Sequence, residues 1–135
     1  MTIQLRQICL VAHELEPVID DLRSILGINS CYVDPGVGKF GLENNLMPIG
    51  RNFLEVVAPI QENTAGGRYL DRRSGDGGYM VITQIDTLPE HQRLRQCALD
   101  NGVRVAQEHT SDQWTLTQPP PGDPQAAFLA PQYGA

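Results

Sequence analysis

The order strand, helix, glycine, short strands occurs twice in this chain, and a tandem repeat of that kind leaves few architectures open. Leu15 recurs as Leu88 at an offset of 73 residues, and Gly27 as Gly102 at an offset of 75. Each half alone is too small to bury a sheet of its own well. Two halves side by side can share one.

The first copy opens with residues 3–12, which read as a strand. Ile3, Leu5, Gln7, Cys9 and Val11 share one face, while Gln4, Arg6, Ile8, Leu10 and Ala12 share the other. Both faces are apolar toward the C-terminal end, the pattern of a strand covered on two sides. Leu15, Val18, Ile19, Leu22, Ile25 and Leu26 then follow at helical spacing. Pro17 suits a first turn and Gly27 a left-handed cap. Residues 30–34 read as a short strand, Asp34 to Gly38 as a turn, and Lys39 to Leu46 as a third strand. Pro48-Ile49-Gly50 is a further turn, and Phe53 to Ala58 the fourth strand.

Residues 59–77 read as a connector holding a short helix from Arg68 to Arg73. The second copy runs from Tyr79–Ile85, a strand, into a helix capped by Thr87 with Glu90 closing the capping box. Leu94, Cys97 and Ala98 fall on one face of that helix, and Gly102 ends it. Val103–Ala106, Trp114–Thr117 and Ala126–Ala130 are the remaining strand segments. The fold class expected is α+β, with two tandem βαβββ modules forming a curved mixed sheet around a cleft. Residues 1–135 make one domain, with modules at about 3–59 and 78–131. The proline-rich tail is poor strand material and leaves the second module incomplete.

Charge narrows the partners. Sixteen acidic against ten basic side chains give a net charge of −6, which repels phosphate backbones and anionic lipid. No apolar run reaches the roughly 18 residues of a membrane span, and the first residues lack a signal-peptide core. The expected address is the cytoplasm. Cys9, Cys31 and Cys97 form no CxxC pair and read as reduced thiols, with Cys9 and Cys97 packed as small hydrophobes. His13, His91 and His109 have no metal-binding spacing and read as surface residues. Gly36 to Gly41 matches GxGxxG, but a strand rather than a helix follows it, so it reads as a loop.

Segment Ile8–Gly27 resembles the opening of a glyoxalase-like module, in which a strand runs into an acidic residue and Leu, then an amphipathic helix ending in Leu-Gly. Phe53 to Pro59 is similar to the fourth strand of such a module, and Gly77 to Asp86 to the opening of a second. The resemblance is to the vicinal oxygen chelate superfamily of glyoxalases, epimerases, extradiol dioxygenases and drug-resistance proteins. It implies metal ligands on the first and fourth strands of each module. Gln7 and Glu55 take the two positions in the first module. Met80, a poor ligand for a hard cation, and Ala130 take those in the second. No cofactor is therefore assured, and a divalent ion (zinc, nickel, manganese or iron) is what the resemblance would supply.

Two functions compete. In one, the chain is a small-molecule-binding protein that holds its ligand in the sheet cleft without an assured metal, against Gln7, Cys9, Phe53, Glu55, Met80 and Trp114. In the other, it is a metal-dependent lyase, isomerase or dioxygenase with Gln7 and Glu55 as ligands. Glu55 is the candidate catalytic residue, because desolvation would raise its pKa into the range of acid–base work. It reads equally as a water-facing sheet residue. A homodimer is the expected assembly, since an incomplete second module exposes a sheet edge.

Overall fold

The computed structural model describes residues 3–29, 31–105, 107–110, 114–118 and 130–134. They belong to two compact units, one of residues 7–79 and the other of residues 1–6 with 80–135. Strand β1 (Ile3–Val11) leads into α1 (Leu15–Leu26), then β2 (Leu42–Ile49), β3 (Asn52–Pro59), α2 (Ala65–Arg73) and β4 (Gly77–Ile85). Helix α3 (Leu88–Asp100) and the short strands β5 (Gln107–Thr110), β6 (Trp114–Gln118) and β7 (Ala130–Gly134) complete the order. The fold class is α+β, and the order strand, helix, strands does repeat.

In the unit of residues 7–79, β3 lies between two partners. It pairs parallel with β1 and antiparallel with β2. Alternation along these strands divides the side chains between two faces. Met47, Val56, Ala58 and Ala12 pack on one face against Leu15 and Ile19 of α1, with Leu10, Leu54, Val18 and Leu22 at the margin. Burying each large aliphatic side chain here stabilises the fold by roughly 1.5–3 kcal/mol. Helix α1 ends where Gly27 turns left-handed at φ 67° and donates its N–H to Arg23 O. The apolar stripe outruns the sheet: Ile25 and Leu26 are exposed.

The opposite face of the same strands carries Gln7, Cys9, Val11, Leu42, Asn44, Leu46, Phe53, Glu55 and Val57. Helix α2 lies over its Val11–Leu42 end. A Cβ at Gly66 would come within 3.1 Å of Leu42 Cδ2 and 3.9 Å of Val11 Cγ2, so glycine allows the close approach. Thr64 caps α2 through its Oγ1, which accepts from Gly67 N–H at 2.9 Å. At the other end Arg73 donates to Gly75 O at 2.8 Å and Asp76 O at 3.1 Å, closing the turn into β4.

In the other unit, β7 pairs parallel with β4 and antiparallel with β6, which pairs antiparallel with β5. Thr87 Oγ1 caps α3 by accepting from Glu90 N–H at 3.4 Å, as the sequence pattern predicts. Arg95 of α3 pairs with Glu108 of β5.

Several sequence expectations are corrected. Residues 31–34 make no strand; Tyr32 forms an isolated bridge to Leu46. The expected turn after Asp34 is a 3-10 helix, Pro35–Phe40, so β2 starts only at Leu42. Asp34 drives this by accepting Gly36 N–H at 2.8 Å. Pro48 and Ile49 belong to β2, and the turn falls on Gly50, at φ 58°. Helix α2 starts at Ala65 rather than Arg68, because Thr64 supplies its cap. Residues 103–105 are not strand, whereas Gln107–Thr110 is, and His109 lies on it. His91 is buried at 1% exposure and Cys97 is exposed, the reverse of both expectations. His91, Leu94 and Ala98, at helical spacing, share the side of α3 that turns inward, and Cys97 falls beside it. Of the expected last strand, residues 126–129 lie outside the described residues; Ala130 opens β7.

Candidate functional site

The polar residues of the second face form one connected group. Cys9 stands directly beside Glu55 in the β1–β3 register, and Gln7 beside Phe53. Leu46 stands opposite Glu55, and Asn44 opposite Val57. Glu55 thus lies at the centre of a strip running from Tyr32 through Leu46 and Glu55 to Cys9.

Glu55 is clamped by two amides. Gln7 Nε2 donates to its Oε1 at 2.7 Å, and Asn44 Nδ2 donates to its Oε2 at 2.8 Å. Asn44 is itself fixed, since Asp34 N–H donates to Asn44 Oδ1 at 3.0 Å. An ionised carboxylate offers acceptors only, so each amide must present its nitrogen. Gln7, Asn44 and Glu55 are 6%, 2% and 4% exposed, and Cys9 is fully buried.

Burial pushes the Glu55 carboxyl above the usual carboxylate range, and the nearby Asp34 charge adds to the rise. Hydrogen bonds from Asn44, Cys9 and Gln7 pull the other way without cancelling it. Burial, followed by the Glu55 charge, pushes the Cys9 thiol well up, so it stays protonated at neutral pH. Tyr79 is pushed up to about 12, first by burial and then by Cys9 and Tyr69. Its ring packs on Tyr69 of α2 at 5.1 Å between centroids, and Tyr69 OH donates to Gly78 O at 2.9 Å.

Aromatic side chains stand beside the group. Half-buried Phe53 meets exposed Tyr32 edge-on at 6.5 Å, and half-buried Leu46 lies between Tyr32 and Glu55.

A divalent cation needs several lone pairs aimed at one point. Here Gln7 and Asn44 both turn their nitrogens rather than their oxygens toward Glu55. Among the described residues, no three His, Cys, Asp or Glu side chains could hold a metal ion together. The donor set does not fit a divalent metal.

Four of the six sequence-predicted ligand residues, Gln7, Cys9, Phe53 and Glu55, therefore stand together. Met80 is half-buried on β4 and Trp114 lies on β6, both in the other unit. The Trp114 side chain lies outside the described residues. Sequence reasoning missed Asn44. Its signal was the alternation Leu42-x-Asn44-x-Leu46, which puts an amide on an otherwise apolar face.

No family model matches this sequence, and no curated protein does. Solved structures do match. A hypothetical protein from Bacillus halodurans C-125 shares 14% identity at a TM-score of 0.74, covering 99% of this chain and 94% of its own. A methylmalonyl-CoA epimerase in complex with methylmalonyl-CoA and NH4+ shares 16% at a TM-score of 0.74, covering 98% and 94%. A Streptomyces coelicolor methylmalonyl-CoA epimerase variant in complex with 2-nitronate-propionyl-CoA shares 17% at 0.71, covering 96% and 94%. The fold is the glyoxalase-like fold of these neighbours. At such identities the likeness speaks for the glyoxalase-like fold and leaves function to the site.

Proposed function

We propose that this chain is a small-molecule-binding protein that holds its ligand against the Gln7–Cys9–Glu55 face of β1 and β3, without a divalent metal. The supporting observation is the amide clamp, in which each Glu55 oxygen accepts an N–H from a neutral side chain. A carboxylate held this way keeps a fixed orientation and retains further lone pairs for a ligand. Phe53 and Leu46 supply the apolar contact that small-molecule sites share.

The alternative is a metal-dependent glyoxalase, epimerase or dioxygenase with Gln7 and Glu55 as ligands. The methylmalonyl-CoA epimerases of the same fold favour it. Against it, Gln7 presents its nitrogen rather than its oxygen to Glu55, and among the described residues no three His, Cys, Asp or Glu side chains could hold a metal ion together. The reading is completed by a cytoplasmic homodimer with no nucleic-acid or membrane partner. Among the described residues no helix is long and apolar enough to cross a membrane.

The test is metal content after chelator-free purification, with a thermal-shift screen of acyl-CoA thioesters, carboxylic acids, amines and aromatic metabolites. Binding to the folded state raises Tm. We expect substoichiometric metal and at least one ligand whose shift is lost in Phe53→Ala. A stoichiometric divalent ion released by Glu55→Gln would overturn the proposal.

A further inference from the structure

Glu55 is a buried carboxylate without a counter-charge. Its hydrogen-bond donors are neutral, the amides of Gln7 and Asn44 and the Cys9 thiol, and no positive charge acts on it among the described residues. The charged side chain that acts on it is Asp34, an anion. A buried charge left uncompensated is costly, and two neutral amides relieve that cost only in part.

The neighbouring groups add to the same polarity. Gln7 commits its nitrogen to Glu55, and among the described residues no donor reaches its Oε1. Phe53, meeting Tyr32 edge-on, and the Tyr69–Tyr79 pair border this face with aromatic rings. Aromatic faces attract cations through their quadrupole. Acceptors at the centre and aromatic rings at the margin suit one chemical class.

Resting on the binding function proposed above, we infer that the group this site accepts is a monovalent organic cation, an ammonium carried on a small apolar or aromatic body. The N–H bonds of the ammonium donate to Glu55 and to Gln7 Oε1, and the apolar body lies against Phe53 and Leu46. The charge Glu55 lacks is supplied by the ligand. Glu55 keeps lone pairs beyond the two that accept the amides, and an ammonium can donate to these and to Gln7 Oε1 without displacing either amide.

The experiment uses the whole chain labelled with 15N and follows the side-chain amide signals of Gln7 and Asn44. Benzylammonium chloride is titrated against benzyl alcohol, its neutral isostere, and against magnesium and zinc chloride. We expect benzylammonium to shift both amide signals and benzyl alcohol to bind at least roughly tenfold more weakly. Glu55→Gln should weaken benzylammonium by a similar factor. This variant keeps its hydrogen bonds if Gln7 reverses its amide, since the new amide can accept from Asn44 and donate to Gln7. Gln7→Leu, which keeps Glu55, should also weaken it. Equal binding of benzyl alcohol, or no shift with benzylammonium, would overturn the cation inference and leave the binding function standing. Zinc or magnesium seated on Glu55 at stoichiometry and excluding benzylammonium would overturn both.

Discussion

The backbone N–H of Asp34 donates to Asn44 Oδ1 at 3.0 Å, and this contact decides which end of the Asn44 amide faces Glu55. A loop residue thereby sets the polarity of a buried strand residue. The arrangement turns the Asn44 nitrogen, not its oxygen, toward Glu55.

Asn44→Asp therefore places a second carboxylate beside the first. Like charges at hydrogen-bonding distance in a buried site cannot both ionise readily. We expect a loss of about 2–4 kcal/mol at pH 7, largely recovered near pH 4 where the pair can be protonated. Urea denaturation at the two pH values measures this. An equal loss at both would contradict the electrostatic account.

Glu55 also makes a signed prediction for stability against pH. Its folded pKa lies above its ordinary value of 4.5, so the folded state binds the proton more tightly than the unfolded state. The associated stability is fully present below pH 4.5 and is lost as pH rises through the raised folded value. Glu55→Gln does not titrate, so its stability relative to the native chain should increase from about pH 4 to about pH 8. Denaturation midpoints across that range give the slope, and a difference that fell with pH would reverse the assignment.

Two glycines with similar dihedrals should respond differently to alanine. Gly27 has φ 67°, and a Cβ added there would meet nothing within 4 Å, so Gly27→Ala should cost about 1–2 kcal/mol of backbone strain. Gly41 has φ 69°, and a Cβ there would lie 2.6 Å from Thr64 Cγ2 and 2.7 Å from Gln61 Cγ. Gly41→Ala should add overpacking of about 1–3 kcal/mol to the same strain. Chemical denaturation of both variants tests the order; equal losses would mean that the side chains around Gly41 move aside freely.

Tyr79 should titrate late. Alkaline difference absorbance is expected to show a phenol ionising near about 12 that is missing in Tyr79→Phe. A Tyr79 phenol ionising near its ordinary value of 10 would place it in water rather than against Tyr69 and Cys9.

The elements with strong periodicity were legible in the sequence. The stripe from Leu15 to Ile19 and Leu22, closed by Gly27, gave α1 to the residue, and Thr87 with Glu90 gave the start of α3. Gln7 and Glu55 stood out as polar residues on apolar strands. Asn44 did not, because Asn45 beside it blurs the alternation of β2. His91 did not, because a histidine beside Leu94 and Ala98 carries no apolar signal of its own.

Local chemistry in the chain determined which segments became strand or helix and which side chains alternate onto a common face, because dihedral preference, capping and periodicity act over a few residues. Tertiary structure decided that Asp34, Asn44, Gln7 and Glu55 become one hydrogen-bonded group. Strand register sets that contact between residues up to 48 positions apart, and the sequence carries no local signal for register. Burial then did what no single residue could, raising the Glu55 carboxyl and leaving it without a balancing charge.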